Sequence, residues 1–169
     1  MPHSFELSAD YEDNAETLYQ AFREEDYWLA RLADIPVDEA KLDSMRIGGD
    51  GTVDVVTLQV VRSHNLHALV KQLHRGDLCV RREETWDPFA DGVARGLIAG
   101  TIVGTPVDVS GSAELSSTEP GGARLTYRIT VKVRIPIIGG KVEKLIGTHL
   151  GELVSREQRL TADWIAANA

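Results

Sequence analysis

The chain contains 169 residues, of which 43% are apolar and 26% are charged, and its net charge is −8. This length suits one ordinary domain, and the composition is typical of a globular protein rather than a disordered one. The acidic balance argues against broad nucleic-acid binding and against electrostatic docking on anionic membranes, because both require a basic surface. We therefore predict one domain over residues 1–169.

Cysteine usage and hydropathy indicate the compartment. Cys79 is the one cysteine of the sequence, so no intrachain disulfide can form and a reducing compartment is favoured. The first eight residues lack the basic segment and apolar run of a secretory signal. The longest uncharged apolar stretch, residues 96–107, has 12 residues, whereas a membrane span needs about 20. These features predict a cytoplasmic protein without stable membrane insertion.

The chain opens with the pattern of one strand and two helices. Residues 3–9 can form the strand, and Asp13 then stands three residues before Glu16, like the start of a capping box. Apolar residues at helical spacing follow. Residues 26–33 predict a second short helix, which Pro36 ends.

The middle of the chain predicts four strands and a small helical insert. A dense glycine turn at 48–51 predicts a hairpin, and strand-forming residues flank it on both sides. The predicted elements are strand 41–47, strand 52–62, helix 66–73, strand 78–86 and strand 93–103.

The last hairpin has the clearest pattern. Residues 123–135 alternate without interruption between apolar and polar side chains, which predicts one buried face and one face exposed to solvent. Residues 107–115 alternate in the same way, and the turn lies at 119–122. The acidic outer face of one strand beside the basic outer face of the other favours this pairing. A helix at 141–167, about 40 Å long if unbroken, can cover the apolar face of the sheet.

Four segments carry a resemblance to a known superfamily. They are Glu25-Asp26-Tyr27-Trp28, Glu83-Glu84-Thr85-Trp86, residues 133–146 with Pro136 and Gly139-Gly140-Lys141, and Thr161-Ala162-Asp163-Trp164. In these segments and in element order, the chain resembles the START-like (SRPBCC) superfamily, and most of all an actinobacterial family of short stand-alone domains of unknown function. The resemblance implies an α+β helix-grip fold. In that fold a curved antiparallel sheet wraps around a long C-terminal helix, two short helices follow the first strand, and an apolar cavity lies between sheet and helix.

The last predicted helix has one apolar face. Turned at about 100° per residue, it brings together Val142, Leu145, Ile146, Leu150, Leu153, Leu160 and Trp164. Glu157 falls within this face, and an ionised carboxylate is costly to bury without a partner. Three alternatives stay open: Glu157 is exposed to water, it pairs with an inward-facing arginine, or it faces a cavity that contains water or a ligand.

The strand at 78–86 offers partners for Glu157. Arg82, Glu84 and Trp86 share its more apolar face, which we expect to turn inward, although a twist or bulge would carry these charges to solvent. Inside an apolar cavity they would provide the few polar groups typical of a small-molecule site. The predicted cavity residues are Arg82, Glu84, Trp86, Tyr127, Ile129, Ile146, Leu150, Leu153, Glu157, Leu160 and Trp164.

Other chemistry-bearing residues are interpreted structurally. His64, His67 and His74 cluster in sequence without a zinc-binding pattern, so we predict surface histidines, no metal and no cofactor. His149 flanks the apolar helix face and can be a cavity base or a half-exposed residue. Cys79 has no attendant histidine, which favours packing over nucleophilic catalysis.

The sequence leaves three functions open. The first is the binding, carriage or sensing of a hydrophobic small molecule such as a lipid or polyketide-like compound. The second is a cyclase- or hydratase-like enzyme that uses Glu157, Glu84 or His149 as acid or base. The third is a protein-interaction module with a filled core, which would use a sheet edge or the acidic N-terminal helices. A cavity discriminates the first two from the third.

Overall fold

The computed structural model describes residues 2–169. Strand β1 (His3–Tyr11) leads into helices α1 (Ala15–Phe22) and α2 (Glu25–Asp34). Strands β2 (Glu39–Ile47) and β3 (Val53–Val61) follow, then a short 3-10 turn (Ser63–Asn65) and helix α3 (Ala68–Leu73). The remaining elements are β4 (Leu78–Trp86), β5 (Val93–Ile102), β6 (Val107–Thr118), β7 (Gly122–Val133) and α4 (Gly139–Asn168). The predicted order of elements is confirmed.

The described strands form one antiparallel sheet of seven strands in the order β1-β7-β6-β5-β4-β3-β2. Neighbours in sequence are neighbours in the sheet from β2 to β7, and β1 joins the far edge beside β7, where His3 lies opposite Val131. The sheet is curved, with α4 against its apolar face, which is the predicted helix-grip architecture.

The alternation in β7 produces the expected two-faced strand. Its inward residues Leu125, Tyr127, Ile129, Val131 and Val133 are all buried. The predicted pairing of β6 with β7 is confirmed, and ion pairs form on both sides of β7 because the strand has a partner on each side. Arg124 and Arg128 form ion pairs with Asp10 and Glu6 of β1, whereas the acidic residues of β6 pair with Arg134 and with Arg95 of β5.

The starts of α1 and α4 differ from the sequence expectation, and α3 begins at Ala68 rather than at residue 66. Asn14, and not Asp13, caps α1, because its side chain accepts a hydrogen bond from the Thr17 amide at 2.8 Å. Helix α4 begins at Gly139, two residues earlier than predicted, and continues to Asn168. The corner before it contains Ile137, which has a φ of +72°.

Helix α4 lies closest to the β1 edge of the sheet. A side chain at Gly147 would overlap the ring of Phe5, and one at Gly151 would just touch Leu7, so small residues one turn apart allow this close approach. The buried Glu143 carboxylate fixes the start of the helix by accepting hydrogen bonds from the Val133 amide at 2.9 Å and from His3 Nδ1 at 2.7 Å. The small residues of α4 therefore pack against β1. The larger aliphatic residues of α4 face a space over β4 and β5.

None of the helices within residues 2–169 is long and apolar enough to cross a membrane.

Candidate ligand-binding cavity

An outer cavity of about 640 Å³ opens between α4, the α2–β2 link, helix α3 and the ends of the central strands. Its walls are mostly aliphatic. They include Ile35, Pro36, Val37, Val61, Leu66, Val70, Leu78, Val80, Ile102, Pro106, Val107, Ile135, Val142, Leu145, Ile146 and Leu153. The polar part of the lining comes from the residues around α3, from Thr105 and from α4: Asn65, His67, His74, Thr105, His149, Glu152, Arg156 and Arg159. The volume lies within the range of roughly 300–1,000 Å³ that small-molecule sites occupy.

An inner cavity of about 190 Å³ adjoins the outer one and lies directly between α4 and strands β3 to β7. The two cavities share Val80, Ile102, Ile146 and Leu153 in their walls. The α4 residues of the inner wall recur every three or four positions, from Ile146 to Glu157. The inner cavity therefore uses one stripe of the helix.

Four charged residues close the inner end, and we call them the quartet: Arg31, Glu84 and Glu157, which are buried, and Arg82, which is half-buried. Arg31 Nη2 donates to both oxygens of Glu157, at 2.9 and 2.6 Å. Arg82 donates to Glu157 at 3.0 and 3.2 Å and to Glu84 at 2.5 Å. Arg31 Nη1 lies 3.5 Å from Glu84 Oε2, an oxygen to which no described residue donates a hydrogen bond. Two positive and two negative charges leave the quartet neutral.

The quartet keeps the Glu157 carboxylate ionised. Burial alone would raise the pKa of Glu157, but the attraction of Arg31 and Arg82 outweighs burial and holds that pKa below its ordinary value. Arg31 also lies over the Trp28 ring, 4.5 Å from its centroid, which adds a cation–π contact. The charges are thus fixed by α2, β4 and α4 together.

Two further polar groups face the inner cavity. The Gln59 side chain and the Tyr127 ring line it and are buried, and neither takes part in the hydrogen bonds of the quartet. Burial raises the pKa of the Tyr127 hydroxyl, and the negative charges of Glu84 and Glu157 raise it further. Tyr127 therefore stays neutral and is available as a hydrogen-bond donor.

The structure brings together most of the predicted cavity residues. Seven of them line the inner cavity: Arg82, Tyr127, Ile129, Ile146, Leu150, Leu153 and Glu157. Glu84 lies just behind Arg82, beside a space of about 10 Å³ that it shares with Arg31.

Three predicted residues lie outside the lining of both cavities. Trp86 is buried against Phe22, with ring centroids 5.0 Å apart, because the strand carries it past the quartet and under α1. Trp164 packs edge-on against Tyr27 at 5.5 Å, two turns beyond Glu157 along the helix. Leu160 is half-buried and lines neither cavity.

Sequence reasoning missed Arg31. Its burial could have been predicted, because Arg31 shares one face of α2 with Tyr27, Trp28 and Leu32 at helical spacing, and these four are the buried residues of that helix. An arginine within such a buried face needs a carboxylate partner, because an unpaired buried charge is costly. Of the three alternatives left open for Glu157, pairing with an inward arginine and facing a cavity are both realised.

The histidines show no metal-binding arrangement among the described residues, where no group of three suitable ligands occurs. His64 and His67 are exposed and His74 is half-buried. His149 lines the outer cavity with an exposed side chain, 3.7 Å from Glu152. Cys79 is half-buried in β4.

A curved antiparallel sheet that encloses a cavity with one long helix defines the helix-grip fold of START-like proteins. A START superfamily protein from Mycobacterium smegmatis matches with a TM-score of 0.56 and 12% identity over 99% of both chains. The Zhui aromatase/cyclase from Streptomyces sp. R1128 matches at 0.60 and 9% over 98% of this chain and 94% of that one. Human STARD10 matches at 0.60 and 16% over 94% of this chain and 63% of that one. At these identities the likeness establishes the fold and confirms the resemblance seen in the sequence.

Within this fold the chain belongs to the family described as "Protein of unknown function (DUF2505)", whose pattern matches residues 6–165. Uncharacterised proteins of Mycobacterium tuberculosis and Mycobacterium bovis are each 59% identical to it over 173 residues, which cover 99% of this chain and 99% of each relative.

Proposed function

We propose that the protein binds and carries, or senses, a largely apolar small molecule with a neutral polar group at one end. The observation that supports this best is the pair of adjoining cavities, aliphatic along their length and closed by the quartet. Such a combination of apolar walls and a few convergent polar groups is the usual composition of a ligand site.

The chemistry of the inner end favours a neutral group over an anion. Both arginines of the quartet already donate to carboxylates, so neither offers an unpaired charge to a ligand carboxylate or phosphate. The Gln59 amide and the Tyr127 hydroxyl remain to donate to or accept from a hydroxyl, phenol or carbonyl oxygen. A lipid or polyketide-like compound with such an oxygen meets both requirements.

The same contacts weigh against the enzymatic alternative based on Glu157. A general acid or base is most effective when its pKa lies near the working pH, whereas two arginines hold the pKa of Glu157 below its ordinary value. A cavity of about 640 Å³ also weighs against a filled-core interaction module. We infer a cytoplasmic location as well, on the support of the single cysteine.

The first test is native mass spectrometry of freshly purified protein, followed by organic extraction. We expect one apolar molecule per chain, and titration with Nile red of protein stripped of that molecule should be saturable. Leu153→Trp places a large ring where the two cavities meet, and it should abolish both the extracted molecule and the binding of Nile red. Leu160→Trp makes the same change on the same helix outside both cavities and should retain them. Equal binding by the two variants would refute the assignment of the cavity.

A further inference from the structure

We propose that the end of the molecule where the outer cavity opens docks on the surface of an anionic lipid bilayer. The proposal concerns a surface and does not depend on the identity of the ligand. It rests on three observations at this end of the sheet: an uneven distribution of charge, exposed aliphatic side chains on adjacent turns, and the open cavity between them.

The charges that sum to −8 are unevenly distributed between the two ends of the sheet. The connections at the end away from the cavity are residues 12–14, 48–52, 87–92 and 119–121. They contain Glu12, Asp13, Asp50, Asp87, Asp91 and Glu119, and neither lysine nor arginine. At the cavity end, the connection 62–77 contains Arg62, Lys71 and Arg75 and one acidic residue, Asp77. From the sequence we expected no electrostatic docking on membranes, because the net charge is −8. That total does not show how the charges are distributed between the two ends of the sheet.

Several cations at the cavity end are available to an external partner. Lys71, Arg75, Lys141 and Lys144 are exposed, and none forms an ion pair with another described residue. Three of the acidic residues nearby are already engaged: Asp38 accepts from the Arg62 amide, Asp77 pairs with Arg62, and Asp108 pairs with Arg134. A fourth, Glu152, is exposed beside His149. Glu143, the acidic residue between the two lysines, is buried.

The same end presents two exposed aliphatic side chains on neighbouring turns. Ile137 is 100% exposed and Val103 is 56% exposed. Their turns are joined, because the Arg134 amide donates to the Pro106 carbonyl at 3.0 Å and Val107 pairs with Val133. Ile137 also adopts a φ of +72°, where a β-branched residue is strained and glycine is not. Two backbone hydrogen bonds hold this conformation, from the Ile138 amide to the Pro136 carbonyl at 2.8 Å and from the Gly139 amide to the Ile135 carbonyl at 3.1 Å. The turn thus keeps the Ile137 side chain in solvent, where an external apolar phase can receive it.

A lipid bilayer fits this combination better than an acidic protein. Exposed aliphatic residues surrounded by cations match an apolar layer beneath anionic headgroups. Pro106 and Ile135, on the same two turns, line the outer cavity, so docking would direct its opening towards the bilayer. An apolar ligand could then pass between membrane and cavity without crossing water.

The test is flotation of the full chain with vesicles of phosphatidylcholine alone or with 30% phosphatidylglycerol. We expect binding to the anionic vesicles at low salt and its loss at high salt. Lys141→Glu/Lys144→Glu should weaken binding at least about 25-fold, since each cation near an anionic surface contributes about fivefold. Arg95→Glu, a charge reversal near the opposite end, should have little effect.

Ile137→Gly provides the sharper variant, because it removes the apolar side chain and relieves the strained backbone. We expect vesicle affinity to fall roughly tenfold, while the melting temperature stays level or rises. Leu97→Ser removes a side chain that is 67% exposed on the outer face of the sheet and should leave binding intact. The proposal is overturned if the chain does not float with anionic vesicles, or if Ile137→Gly floats as well as the unaltered chain. It is also overturned if soluble polyglutamate prevents flotation as effectively as an excess of unlabelled anionic vesicles, because an acidic protein would then be the partner.

Discussion

Replacing Arg31 by methionine should be among the most damaging single changes in the protein. The substitution keeps a long side chain over Trp28 but removes the charge that contacts Glu157 at 2.6 Å and Glu84 at 3.5 Å. Two buried carboxylates then share Arg82 alone. Breaking a buried ion pair from one side costs about 3–5 kcal/mol of unfolding free energy. At this chain length, that loss lowers the melting temperature by roughly 6–20 °C.

The loss should depend on pH with a definite sign. In the unaltered chain the pKa of Glu157 is lowered, so its contribution to stability is present above the ordinary carboxyl pKa of 4.5 and is lost as the pH falls through the folded-state value. In Arg31→Met the excess buried carboxylate has a raised pKa. Its penalty is therefore largest at pH 8 and shrinks towards pH 5, where a proton neutralises it.

Urea unfolding at pH 8 and pH 5 measures both effects. Arg124→Met is the matched control, because Arg124 forms a bidentate pair with Asp10 that is exposed to solvent and should change stability much less. The double variant Arg31→Met/Glu157→Leu restores neutrality and should be more stable than Arg31→Met alone. If Arg31→Met behaves like Arg124→Met at both pH values, the quartet does not hold these elements together.

Other contacts give further expectations. Gly147→Ala should destabilise the fold by about 1–3 kcal/mol, because its methyl group would overlap the Phe5 ring. Gly151→Ala, one turn along, meets only Leu7 at 4.0 Å and should be neutral or stabilising by up to about 1 kcal/mol; thermal melts of the pair decide whether close packing on β1 is real. Tyr127→Phe should leave the melting temperature nearly unchanged and weaken the extracted ligand about 2–10-fold in calorimetry, the effect of one lost hydrogen bond. An unchanged affinity would place the polar group of the ligand elsewhere.

The fold was predictable from sequence because its strongest patterns are local. The unbroken alternation in β7 determines which side chains are buried, and the glycine turn at 48–51 determines the β2–β3 hairpin. The inward face of β4 was also predicted, since Glu84 and Trp86 are buried there. Such patterns depend on neighbours within one element or one hairpin, which the sequence displays directly.

The quartet was only partly predictable because it joins elements that are distant in sequence. Arg31 and Glu157 are separated by 126 residues, and their pairing depends on how α2 crosses α4. The contact of α4 with β1 was not predicted for a related reason. It depends on the smallest residue of the helix, Gly147, which lies against Phe5, and an apolar helical pattern does not single out a glycine. The large aliphatic residues Ile146, Leu150 and Leu153 line the inner cavity, as the sequence predicted.

The arrangement of β1 has a consequence for how the chain is made. Residues 3–11 pair with residues 123–131, so the first strand has no partner until most of the chain has left the ribosome. At about 5–20 residues per second, this wait lasts roughly 6–25 s. During that time the apolar inner face of β3 to β6 also lacks α4. We expect chaperones that bind exposed strands to associate with nascent chains of intermediate length and to release them once β7 and α4 have been synthesised.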